Sequence, residues 1–141
     1  MKHELSSADR DFRRAFEAGA FAPADFSHRA HVRLAYAYLA ESDVNLALDR
    51  MRAALVCFLS HHGIPATKYH ETLTRAWILA VHHFMHRSPE AASADDFIDG
   101  NPQLLDSRIM LTHYSAGLLF SEAARAGFVE PDLDPIPRHA A

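Results

Sequence analysis

The stretch YHETLTRAWILAVHHFMHR, residues 69–87, decides the fold. Its Leu73, Trp77, Ala80, Val81 and Phe84 recur at spacings of three, four and seven, the period of one helical face and not of a strand. A helix is therefore expected over residues 68–87, capped by Thr67 and stopped before Pro89. His70 falls on the apolar stripe of that helix, three residues before Leu73, with Thr74 one turn above it. An imidazole facing a core needs a partner, because an unsatisfied buried polar group costs on the order of 1–3 kcal/mol.

Working outward, the same period recurs. Ser6 or Ser7 can cap a first helix running to Ala18, with Phe12 and Phe16 stacked one turn apart and Gly19 closing it. GAFAPADF, residues 19–26, connects to a second helix over 28–40 with Ser27 as N-cap. A third, over 43–61, starts near Ser42 and ends at Gly63. RSPEAASADDFIDGNP, residues 87–102, is a polar connector with one helical turn around Asp95–Ile98. Asn101-Pro102 opens a last helical region reaching Ala126, broken near THYSAG at 112–117. Residues 127–141 carry three prolines and are expected as an extended tail, laid over the bundle or mobile. The expectation is a single all-α domain over residues 1–141, a compact bundle of four to five helices.

Bulk composition narrows the function classes. The chain has 141 residues and a net charge of −4, with no clustering of basic residues, so a nucleic-acid partner lacks its electrostatic stripe. The nearly apolar run VRLAYAYLA, residues 32–40, is too short to span a bilayer, and MKHELSSADRDFRR has no apolar signal-peptide core. One cysteine excludes an internal disulfide framework and fits a reducing cytoplasm. Cys57, inside ALVCFL, is expected as a small buried hydrophobe.

The second helix repeats the puzzle of His70. DFSHRAHVRLAYAYL, residues 25–39, places His28 and His31 three apart in the first turn of an apolar helix, close enough to converge on one ion. With His70 from a packed neighbour they would form a set of three histidines with one coordination position left open. Such a site suits zinc, iron, copper or nickel alike. Arg33, Tyr69 and Thr74 would surround it or face substrate, and Glu71 would serve as base. His82, His83 and His86 lie 120–160° around from His70 and are read as a solvated face, while His3 and His139 are terminal. No glycine-rich phosphate loop, CxxC pair, GxSxG or HExxH occurs, nor the carboxylate pattern of a di-iron bundle.

The stretches FSHRAHVR at 26–33, KYHETLT at 68–74 and NPQLLD at 101–106, with the closing PDLDPIP, resemble a group of small bacterial proteins over about residues 12–135. That resemblance implies no particular activity. The chain is also similar in kind to the DinB/YfiT-type helical bundles, which hold one metal through three histidines, though here two of them share a helix. The expected function is a cytoplasmic metal-dependent enzyme acting on a small molecule, able to form a homo-oligomer. The alternative is a non-catalytic module that binds a small molecule or partner in a histidine-lined pocket.

Overall fold

The computed structural model describes residues 2–139. It is all-α: no strand occurs among the described residues. Four long helices carry the fold, α1 (Ser7–Glu17), α2 (His28–Glu41), α3 (Val44–His61) and α4 (Glu71–Arg87). Three short ones follow, α5 (Ala94–Asp99), α6 (Ala116–Leu119) and α7 (Glu122–Ala126). None is long and apolar enough to cross a membrane.

Local chemistry sets most of these ends. Ser6 and Asp9 form a reciprocal capping box on α1, while Ser27 caps α2 and Asp43 caps α3. Gly19 and Gly63 reverse the chain after α1 and α3 at φ of +74° and +66°, the left-handed conformation that favours glycine. At Gly19 there is also no room for a side chain, because the His61 ring fills the place of a Cβ.

α2 is the central element. Val32 and every residue from Leu34 to Leu39 are buried, which requires cover on every side, and α1, α3, α4 and α5 supply it. The two tyrosines there keep their hydroxyls satisfied: Tyr36 donates to the Glu4 carbonyl at 2.7 Å and Tyr38 to the Glu17 carboxylate at 2.6 Å. Phe16 and Phe58 stack at 4.4 Å and join α1 to α3. α7 closes against α4.

The expected last helical region over 102–126 does break at 112–117, and it is divided further, into two 3-10 segments (Pro102–Leu105 and Ser107–Thr112), α6 and α7. The reason is polar punctuation: Asp106, Ser115 and Ser121 each accept a backbone N–H just ahead of them and restart the chain in a new direction. The proline-rich tail is extended and strapped over the bundle. Tyr114 donates to the Val129 carbonyl at 2.6 Å, the Leu133 N–H to the His113 carbonyl at 2.9 Å, and His113 Nδ1 to the Asp134 carbonyl at 2.7 Å. Ile136 is buried beneath it.

Cys57 is exposed, contrary to the expectation from its apolar surroundings. Ala47, Leu48, Met51, Ala54 and Phe58 form the inward stripe of α3, and Cys57 lies about 120° around the helix from Met51.

Candidate functional site

His28 and His31 do come together, on the wall of an open cavity of about 410 Å³. Leu73 and Trp77 of α4 form a second wall, and Met110, Leu111, Leu119 and Phe120 supply the apolar cover. Ser107 and Arg108 add polar groups. Arg108 is engaged with Asp106 through two contacts of 2.9 and 3.1 Å.

The two imidazoles differ in their environments. Their rings lie 6.2 Å apart and nearly parallel. His28 packs against the edge of Trp77 at 4.6 Å, and its Nε2 donates to the Leu104 carbonyl at 2.9 Å, which leaves Nδ1 as its remaining polar atom. His31 is half-buried and has no hydrogen-bond partner among the described residues. Burial, followed by the neighbouring His28, pulls its pKa down to about 4, so at neutral pH it is an uncharged imidazole.

His70 is placed differently from the expectation. α4 begins at Glu71, after a 3-10 turn at Ala66–Lys68, so His70 is the N-cap and Thr67 is not. Its Nδ1 accepts the Leu73 N–H at 3.1 Å and its Nε2 donates to the Leu119 carbonyl at 2.7 Å. Both nitrogens are thereby committed, and burial holds the group below the ordinary histidine pKa. His70 does not line the cavity; it fixes the end of α6 that does. The three histidines therefore do not form one ligand set. Among the described residues, no three His, Cys, Asp or Glu side chains are grouped to hold a metal ion.

The other expected site residues are occupied elsewhere. Arg52 grips Glu71 through both carboxylate oxygens, at 2.8 and 2.6 Å, and Tyr69 donates to it at 2.6 Å. That pairing with Arg52 holds Glu71 below the ordinary carboxylate range, the opposite of a base tuned toward neutrality. Arg33 pairs with buried Asp9 at 3.0 Å and lies over the Phe12 ring, tying α1 to α2. The Thr74 hydroxyl returns to the His70 carbonyl at 2.8 Å.

Two terminal histidines are also structural. His3 is buried, with Nε2 donating to the Met85 carbonyl at 2.7 Å and Nδ1 accepting the Ala91 N–H at 3.3 Å. His139 returns along the tail to meet His82, His83 and His86, so His82 and His83 are half-buried and not a freely solvated face.

The capping role gives a direct prediction. His70→Ala should lose roughly 1–3 kcal/mol in urea denaturation, since it removes a helix cap and strands the buried end of α6. His70→Asn, which can cap but cannot reach Leu119, should lose less. A change below about 0.5 kcal/mol for His70→Ala would show that neither bond matters.

Compared with known proteins, the chain matches no family model, no curated protein and no solved structure. The class defined by fold and site is thus an all-α bundle with a histidine-lined, mainly apolar cavity.

Proposed function

We propose that this bundle is a binding module for a small, largely apolar molecule carrying one polar group, held in the cavity of His28, His31 and Trp77. The observation that carries this reading is His31: a neutral imidazole, without a hydrogen-bond partner among the described residues, set in an apolar wall. Such a group offers one donor and one acceptor where water competes weakly, and apolar pockets with a few fixed polar groups are the common form of small-molecule sites. The exposed reduced thiol of Cys57 fits a cytoplasmic setting.

A metal-dependent enzyme is the second reading, and its support is the His28/His31 pair itself, two imidazoles three residues apart beside open space. The residues fit a metal poorly as a three-histidine set, because His70 has no free nitrogen to give. Any ion would need its remaining ligands from water or from the bound molecule.

Trp77 is the only tryptophan in the chain and lines the cavity, so its fluorescence reports occupancy. Titration with phenol or benzyl alcohol should change that emission saturably, and His31→Leu should weaken binding about tenfold, the equivalent of one net hydrogen bond. The part of the affinity lost in His31→Leu should be constant from pH 8 to 5 and fall only near pH 4, where His31 gains its proton. Protein purified without a histidine tag should bind the probes equally well after chelator treatment. Unchanged affinity in His31→Leu would sink the binding reading; stoichiometric metal lost in His28→Ala would favour the enzyme.

A further inference from the structure

A second cleft, of about 260 Å³, lies on another face, where the start of α3, the middle of α4 and the end of the tail meet. Its floor is apolar, with Leu48, Ile78 and Leu79. Its polar lining is mostly cationic or able to become so: Arg75, Arg138, His82 and His139. Asp43 is the one acid in the lining among the described residues, and its Oδ1 is spent on the Leu46 N–H at 2.8 Å.

Arg75 is the telling residue. Its guanidinium rests on the Phe128 ring at 4.4 Å, which fixes its position without neutralising it. Glu71, one turn back on the same helix, has both oxygens held by Arg52, with Tyr69 adding a third bond. Arg75 thus faces the cleft with its charge uncompensated by an ion pair among the described residues. Arg138 also faces it, over the same Phe128 ring at 5.9 Å, and shares its charge with exposed Glu130 at 3.1 Å.

The histidines supply adjustable charge. His139 stacks on His86 at 4.1 Å and on His83 at 5.0 Å, its Nε2 is 2.8 Å from His83 Nδ1, and its ring centre lies 6.0 Å from that of His82. Four imidazoles this close cannot all carry protons unless an anion sits among them. Burial first, then His139, His86 and His83, hold His82 below the ordinary histidine pKa. Burial first, then His139 and Arg87, hold His83 below the ordinary histidine pKa as well. Fixed guanidinium groups, convergent imidazoles and a small cleft are together the chemistry that recognises phosphate.

We propose that this cleft binds the phosphate group of a small phosphate-bearing molecule, with Arg75 and Arg138 as its fixed cationic partners and His82 and His139 as hydrogen-bond donors. Binding then draws protons onto the histidines, so affinity for an anion of constant charge rises as pH falls. The site is separate from the His28/His31 cavity, and either can fail without the other.

The test is an amide NMR titration of the full chain with inorganic phosphate at pH 7 and constant ionic strength. Saturable shifts are expected around Asn45, Arg75 and His82. Arg75→Gln should weaken binding at least tenfold, and so should Arg138→Gln, which lies on the exposed tail and spares the fold if Arg75→Gln disturbs it. Arg14→Gln, on the far exposed face of α1, should change nothing. Sulfate, which stays a dianion throughout, should bind several-fold tighter at pH 6 than at pH 8, with that gain lost in a His82→Gln/His139→Gln variant. Equal titration of wild type and both arginine variants would overturn the proposal. So would acetate binding as tightly as phosphate, or zinc binding to the histidines with no effect of phosphate.

Discussion

Replacing Asp9 with alanine is expected to cost roughly 3–5 kcal/mol, a loss that would leave a domain of this size barely folded. Among the described residues, Asp9 is the most connected buried polar side chain. Only 2% of its side chain is exposed, and it accepts from Arg33 Nε at 3.0 Å, the Ser6 N–H at 3.0 Å and the Ala94 N–H at 2.9 Å. One carboxylate thereby fastens the start of α1, the middle of α2 and the first turn of α5. Removing it strands the Arg33 charge, which is three-quarters buried, and two backbone donors together. Asp9→Asn keeps the volume but puts a donor where a donor already points, so it should lose more than half as much. Urea denaturation of both variants checks this; a loss below about 1 kcal/mol for Asp9→Ala would mean that water replaces all three bonds.

The same residue gives a pH dependence with a definite sign. Burial pushes the Asp9 carboxyl up, but the bonds from Ala94, Ser6 and Arg33 outweigh it, and the net folded pKa is lowered. The unfolded chain then binds the proton first as pH falls. The stabilisation is fully present above the unfolded value near 3.8 and is lost below it. His31 acts earlier: its folded pKa of about 4 lies below the unfolded 6.5, so stability falls as pH drops from 6.5 toward 4. Thermal melts of His31→Leu should show a flatter profile across that window.

Much of this architecture is written locally. Ser6, Ser27, Gly19 and Gly63 mark helix ends through bonds to residues three or four positions away, and the stripe from Leu73 to Phe84 announces a face of α4 packed against the core. The pairing of His28 with His31 on one wall is equally local, since both lie in the first turn of α2. His70 was not legible in the same way. Its ring partner Leu119 is 49 residues away, and an imidazole capping a helix through Nδ1 looks, by spacing alone, like an imidazole on the helix face. His3 and His139 escape for the same reason: one bonds Met85 across 82 residues, the other His83 across 56. Glu71 reads as a free base only until Arg52, 19 residues earlier on α3, is seen to grip it.

Trp77→Ala should also lose roughly 3–5 kcal/mol, the range for removing a large core aromatic. Trp77 is 4% exposed, its ring meets the His28 edge at 4.6 Å, and it stands between the tightly packed contact of α2 with α4 and the open cavity. Its loss therefore removes a wall as well as a filling. The space left behind would join the existing 410 Å³, so collapse of the surroundings cannot close it and the cost should lie at the upper end. The enlarged, apolar cavity should then take up benzene, and a ligand bound only by the folded state returns stability by mass action, about 2.7 kcal/mol at a hundredfold excess over its dissociation constant. Trp77→Phe, which keeps most of the wall, should lose less than half as much and regain little. Equal rescue of both variants would place the ligand outside this cavity, and a loss below 1 kcal/mol for Trp77→Ala would mean that the α2–α4 contact does not depend on the indole.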